Sequence, residues 1–248
     1  IVLQTDFTQT VLDLIETIRR TQTHAIALAA QLIYARVSQG GTCYATGTGH
    51  SHMLAEELYS RAGGLACIHM IAPPEFTLDA HPLKSTMVER IPEYAQVILT
   101  QYPIRAGDAL IIASNSGRNG LVVELALRAR ALGASVIAIT SLKHGAQCAS
   151  RHPSGKLLAD VADLVIDNCG QPGDAATPVG PGLYMGATST IAGAYIMQSL
   201  AIRLAEAYLA EGVRPPVLRS SNLDGTDRLN QSLFEQESLL PSPHRPQR

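Results

Sequence analysis

At 248 residues, with 46% hydrophobic and 16% charged residues, the chain can form a substantial packed core and is too apolar for a disordered one. A formal net charge of −2 leaves no basic surface, so neither a nucleic-acid nor a membrane partner is expected. Trp is absent and aromatics make up 4%, so Ala, Leu, Ile and Val must build the core, which suits an α/β fold.

In chain order, residues 7–37 read as helical. Val11, Leu14, Ile15 and Ile18, then Ile26, Leu28, Leu32 and Ile33, recur at helical spacing. Thr21-Gln22-Thr23 marks an expected kink or break, and Gln39-Gly40-Gly41 an expected stop. Residues 43–46 are a first strand. Gly47-Thr48-Gly49-His50-Ser51 then turns into a helix over 52–61, which Gly63-Gly64 ends, and 66–71 is a second strand. The turn offers small residues and a helix N-terminus to an anion. A tight strand-to-helix connection without a ligand accounts for the same residues. It is not a dinucleotide fingerprint, because His52 stands where the third glycine belongs.

Residues 72–84 show no regular pattern and hold Glu75, Asp79 and His81 among prolines. Loops that follow parallel strands line the ligand crevice of open α/β sheets, so these groups are candidates for proton transfer, or else the solvated charges of a surface loop. Residues 85–100 read as a helix interrupted by Pro92. The clearest unit is 109–140, ALIIASNSGRNGLVVELALRARALGASVIAIT. An apolar run breaks into Ser114-Asn115-Ser116-Gly117-Arg118-Asn119-Gly120. An amphipathic helix follows, and a second apolar run at 136–139 completes a parallel βαβ crossover. Hydroxyls, amides and glycines there meet the positive end of a helix, where an anion is favoured. An ordinary N-cap and turn satisfies the same residue types.

Beyond this unit, 163–167 reads as a further strand, 169–182 as a loop with the single acid Asp174, and 185–209 as a helix. The hydroxyls of Thr188 and Ser189 at its start either cap it or contact a ligand. The apolar stretch 183–210 contains Ser and Thr residues, then Arg203 and Glu206, and reads as a core helix, not a membrane span. Cys43, Cys67, Cys148 and Cys169 form no CxxC pair, so buried or incidental thiols are expected and no metal site. No charged-then-apolar leader opens the sequence as given, and a cytoplasmic location is expected.

SNSGRNG with its helix and LGASVIAIT, the earlier GTGHS and the later GATSTIAGAYIMQSL come in the order of the sugar isomerase (SIS) phosphosugar-binding domain, which residues 41–205 resemble. The PPV…S-x-N-x-DG-x-D-x-x-N tail resembles an uncharacterised SIS subgroup. Phosphoheptose and arabinose-5-phosphate isomerases are more distantly similar. The resemblance implies a three-layer α/β/α sandwich with a five-stranded, mostly parallel sheet, flavodoxin-like in architecture. It implies a helical segment at 1–38, the SIS domain at 39–212 and a polar strap at 213–237 that folds over a cleft or lies on the surface, while the composition of 238–248, SLLPSPHRPQR, reads as a disordered tail. The partners implied are a sugar phosphate and a second copy of the chain, in a dimer or tetramer.

The resemblance makes Ser114, Asn115, Ser116, Gly117 and Asn119 the phosphate anchor, with Gly49, Ser51, Thr188 and Ser189. It implies a cofactor-free isomerase of aldose and ketose phosphates, which needs a base and an acid beside that anchor. Phosphoheptose isomerases place a glutamate ten residues after the serine of the first turn. Here that position is Arg61, and Glu57 lies about a turn away on a different helix face. Pro73-Pro74-Glu75 is similar to a Pro-x-Glu of arabinose-5-phosphate isomerases. The candidate bases are therefore Glu75 and Glu57, and the candidate acids His50, His52 and His81. A sugar-phosphate sensor without chemistry is the first alternative, supported by the absent glutamate. An etherase or deaminase acting on an amino-sugar phosphate is the second.

Overall fold

The computed structural model describes residues 6–79, 81 and 83–237. The tail at 238–248 lies outside them. Helix α1 (Phe7–Val37) starts at Asp6, whose carboxylate accepts the Thr8 N–H at 2.8 Å. It runs unbroken through Thr21-Gln22-Thr23, where a kink was expected. The Thr21 and Thr23 hydroxyls donate to the carbonyls of Thr17 and Arg19 one turn back, so both are satisfied within the helix.

The chain continues as β1 (Cys43–Gly47), α2 (His52–Leu58), β2 (Ile68–Ile71), α3 (Lys84–Val88), α4 (Tyr94–Gln101), β3 (Ala109–Ala113) and α5 (Gly120–Ala131). There follow β4 (Ser135–Thr140), α6 (Leu142–Gly145), α7 (Leu158–Val161), β5 (Leu164–Asp167), β6 (Ala175–Gly180), β7 (Leu183–Ala187), α8 (Ser189–Ala210) and α9 (Asp227–Gln236). Five strands form one sheet in the order β2-β1-β3-β4-β5, each pair parallel. Alternation along the strands sends Cys43, Ala45, Ile111 and Ile137 toward α1, α2 and α8. Tyr44, Leu110, Ile112 and Val136 face α4, α5 and α7. Covered on both faces, β1, β3 and β4 are buried at every position, hence their continuous apolar runs. This is the three-layer α/β/α sandwich. Helices α2 and α8 approach closely at Gly193, where an added Cβ would meet Leu54 Cδ1 at 2.4 Å.

The turn before β3, residues 105–108, lies at the end of the sheet away from the strand-following loops. Buried Asp108 accepts the N–H groups of Thr42 and Arg105, each at 2.8 Å, and ties the start of β1 to the turn before β3.

Two expectations are corrected. Helix α2 ends at Leu58 and not at Arg61, because Tyr59 is extended and Ser60 takes a left-handed φ of 48°. The loop at 169–182 and the first turn of the expected helix at 185–209 are in part the antiparallel hairpin β6–β7. Gly180-Pro181-Gly182 turns it, with Gly182 at φ 69°. The polar strap is a short strand pairing followed by α9. Leu218 exchanges backbone hydrogen bonds with Gly63 and Gly64, and Ala66 donates to Pro216, so the strap is anchored on the chain entering β2. No described helix is long and apolar enough to cross a membrane.

Candidate functional site

Strand β1 leads to β2 on one side and β3 leads to β4 on the other, so the loops that follow β1 and β3 diverge. That divergence is where open α/β sheets hold ligands. A shallow cleft, open to solvent and enclosing only about 10 Å³, lies there. His50 and Ser51 from the first turn, Ser114 and Asn115 from the second loop, Asn168 after β5 and Ser189 of α8 form its polar wall, and Leu54 and Ile139 its apolar floor.

The Ser114-to-Asn119 loop is held from several sides. Gly117 has φ 60°, and its N–H donates to Ser114 Oγ at 3.3 Å. A Cβ there would lie 3.0 Å from Thr140 Oγ1, so both dihedral and space call for glycine. The Asn115 carbonyl accepts from Ser141 N at 2.9 Å, and its side-chain oxygen from Asn168 Nδ2 at 2.9 Å. Asn119 stands at the N-cap of α5 but makes no capping bond. Its Oδ1 instead accepts from Arg151 Nη1 at 2.8 Å. The first turn of α5 thus carries no side-chain cap, and its positive end faces the loop.

At α8 the situation is reversed. Asp174 accepts the backbone N–H of Thr188 at 3.0 Å and of Ser189 at 2.7 Å, and the Ser189 hydroxyl at 2.6 Å. Thr188 is buried behind it, and its hydroxyl donates to the Asp174 carbonyl at 3.4 Å. Of that pair only Ser189 reaches the cleft, with its hydroxyl already committed.

The candidate acids and bases are dispersed. His50 is exposed at the cleft rim. His52 is buried, bonded through Nδ1 to the Gly49 carbonyl, with Nε2 3.5 Å from Glu56. Glu57 accepts from Arg61 at 2.7 Å and from Gln198 of α8 at 2.8 Å. Glu75 lies beside Tyr94, whose phenol is pushed up by burial and by that carboxylate. His81 is exposed, and its Nδ1 accepts the Leu83 N–H at 3.2 Å. Ser116 Oγ accepts only a long 3.5 Å contact from Arg118 N, and Gly49 turns the chain at φ 58°.

Sequence reasoning missed Glu89, Arg151 and Asn168. Glu89 lies at the C-cap of α3, where helical periodicity hides it. Its carboxyl accepts the Thr48 hydroxyl at 2.8 Å. Burial pushes that carboxyl up, and Thr48, Arg90 and Arg151 only partly offset the effect. Among the described residues no three His, Cys, Asp or Glu side chains converge as metal ligands. All four cysteines are free thiols. Cys43 and Cys67 are buried, and burial pushes the Cys67 thiol up to about 12.

The SIS domain family model matches residues 6–141. The UPF0309 protein BH3325 of Halalkalibacterium halodurans is 42% identical over 233 residues, 94% of this chain and 96% of that protein. The UPF0309 protein SCO4393 of Streptomyces coelicolor is 38% identical over 93% of each chain. Among solved structures, a phosphoheptose isomerase from Francisella tularensis has a TM-score of 0.53 at 18% identity, covering 81% of this chain and 95% of that one. E. coli CFT073 c3406, solved as a sugar-phosphate complex, has a TM-score of 0.51 at 16% identity, covering 92% and 93%. The Vibrio vulnificus NanR protein complexed with ManNAc-6P has a TM-score of 0.51 at 18% identity, covering 95% and 69%. At these identities the structural likeness speaks for the fold. Together with the family match and the close relatives, it shows that the chain belongs to the SIS domain family.

Proposed function

We propose that this chain binds a sugar phosphate on the loop at 114–119 and interconverts its aldose and ketose forms without a cofactor. The observation that carries this reading is the N-terminus of α5, which has no side-chain cap and of whose first N–H groups that of Leu121 goes to the Glu89 carbonyl, behind Ser114 and Ser116 at the divergence of β1 and β3. The cleft encloses only about 10 Å³, far below the range for whole ligands, so on this reading the phosphate sits at its mouth and the sugar extends outward past His50. The sugar-phosphate complexes of two structural neighbours, c3406 and NanR, support the same ligand class. His50 at the rim is suited to move protons between sugar oxygens, since one ring nitrogen can donate while the other accepts. A homo-oligomer and a cytoplasmic location belong to the same proposal. A second reading, a sensor that binds without turnover, is favoured by one fact. Among the described residues, no carboxylate stands in the cleft wall itself.

The test is a thermal-shift panel of sugar phosphates, amino-sugar phosphates and their unphosphorylated parents, with turnover assayed for each binder. A native-state ligand raises the melting temperature by mass action. The expected result is a shift with a phosphorylated sugar only, lost in Ser114→Ala/Ser116→Ala. No shift with any phosphorylated compound would sink the phosphosugar reading, and a shift without turnover would leave the sensor.

A further inference from the structure

Resting on the phosphosugar reading above, we infer that Asn168 is a positioning residue that fixes the Asn115 side chain as a hydrogen-bond donor toward the phosphate. Both residues line the cleft, Asn115 from the loop after β3 and Asn168 from the end of β5. Asn168 is buried, and Asn115 is half-buried.

The backbone sets the orientation of both amides. The Gly170 N–H donates to Asn168 Oδ1 at 2.9 Å. A backbone N–H can only donate, so the Asn168 atom facing it has to be the oxygen. The Asn168 nitrogen then faces Asn115 and donates to its Oδ1 at 2.9 Å. Turning over either amide would set donor against donor. Asn115 Nδ2 is therefore the end left over, and it donates to no atom among the described residues. The frame around the pair is closed. Fully buried Ser141 donates its N–H to the Asn115 carbonyl at 2.9 Å and its hydroxyl to the Gly170 carbonyl at 2.7 Å. The Asn168 N–H donates to the Thr140 carbonyl at 2.9 Å, where β4 ends. A Cβ on Gly170 would lie 2.9 Å from Asn168 Oδ1, so glycine leaves room for that bond.

The result is a cleft with a polarity. On the α5 side, Ser114 Oγ accepts the Gly117 N–H and keeps its own hydrogen to give, and Asn115 presents an NH₂ group. On the α8 side, the Ser189 hydroxyl gives its hydrogen to Asp174 and has only lone pairs left. The oxygens of a phosphate dianion only accept, so the phosphate goes against Ser114 and Asn115. A sugar hydroxyl can donate, so it goes against Ser189. Asn168 sets this direction without being the donor itself.

The experiment is a double-mutant cycle between the two asparagines. Wild type, Asn168→Asp, Asn115→Ala and the double variant are titrated by calorimetry with inorganic phosphate, ribose 5-phosphate, glucose 6-phosphate and sedoheptulose 7-phosphate. Melting temperatures without ligand report folding. Asn168→Asp keeps the shape and the acceptor for Gly170 but loses the donor, so Asn115 turns its NH₂ inward and its oxygen toward the ligand. The expected result is that Asn168→Asp weakens phosphosugar binding roughly 10- to 100-fold in the wild-type background, as for a lost bond to a charged group. In the Asn115→Ala background only the added charge still acts, and the loss shrinks to about 3-fold or less. Asn168→Ala repeats the cycle without a new charge, and its effect on binding should likewise vanish when Asn115 is already alanine. A merely structural role would weaken binding equally in both backgrounds. Equal losses in the two backgrounds, or undiminished binding in Asn168→Asp and Asn168→Ala, would overturn the assignment while leaving the phosphosugar reading intact. A wild type that binds none of the four probes would overturn that reading and this assignment with it.

Discussion

Two helix N-termini approach one cleft, and the chain treats them in opposite ways. At α8 the protein supplies its own anion. Asp174 takes two backbone N–H groups and the Ser189 hydroxyl, from a left-handed conformation (φ 69°) unusual for a residue with a side chain. At α5 the residue at the capping position turns away, and Asn119 bonds Arg151 instead of its own helix. A carboxylate cap stabilises a helix by about 1 kcal/mol, and it also repels a second anion. A ligand phosphate at α8 would have to displace a tethered carboxylate; at α5 it would meet a helix start with no side-chain cap and the hydroxyls of Ser114 and Ser116. Similar small polar sequences at two helix starts are therefore treated differently: one carries a carboxylate of the chain itself and the other has no side-chain cap.

The comparison can be broken most severely at Leu121, fully buried in the first turn of α5. Leu121→Ala should cost about 2–5 kcal/mol of unfolding free energy, measured by urea denaturation, and should weaken ligand binding through the displaced helix start. A loss well below 1 kcal/mol would mean that the loop and not the packed helix fixes the site. Next in size, Ser114→Ala should lower phosphosugar affinity by about 1.5–3 kcal/mol, the range for a hydrogen bond to a charged group, with unfolding free energy changed by less. Titration calorimetry checks it, and unchanged affinity would move the phosphate elsewhere.

Asp174→Asn keeps the shape and removes the charge at α8. Stability should fall by about 1 kcal/mol while phosphosugar binding persists or tightens. Loss of binding without loss of stability would assign Asp174 to the ligand instead. The smallest effect concerns Glu124 on the flank of α5. Burial pushes its carboxyl up, but hydrogen bonds from His152 and Arg128 outweigh that, and the net direction is down. A carboxylate depressed in the folded state contributes stability above its unfolded pKa and loses it as pH falls through the folded value. Glu124→Gln should therefore flatten the acid side of the stability–pH curve by a few tenths of a kcal/mol to about 1, and leave the curve above pH 6 parallel to the wild type. A difference that grows with rising pH would reverse the sign of this account.

The parts legible in sequence were those with short-range causes. The runs at 110–113 and 136–139, bounded by glycines and small polar residues, mark strands buried on both faces. The break between them marks a strand-to-helix turn whatever the rest of the chain does. Gly117 was legible as a place where backbone approaches closely, because few other residues suit that dihedral. What stayed hidden depended on partners distant in sequence. Glu89 meets Thr48 from 41 positions away and Arg151 meets Asn119 from 32, and no local period records either pairing. The hairpin at 175–187 looked like a loop running into a helix, since its strands pair with each other and their large apolar residues, Leu183, Tyr184 and Met185, stay exposed, so no buried face sets a period of two. The sequence by itself determined the layered α/β fold and the anion-favouring chemistry of the serine loop, because propensity, burial period and turn residues act over a few positions. Only the tertiary structure decided which helix end is already neutralised and which carboxyl stands beside the turn, because a charge takes its role from whatever folding brings within about 4 Å of it.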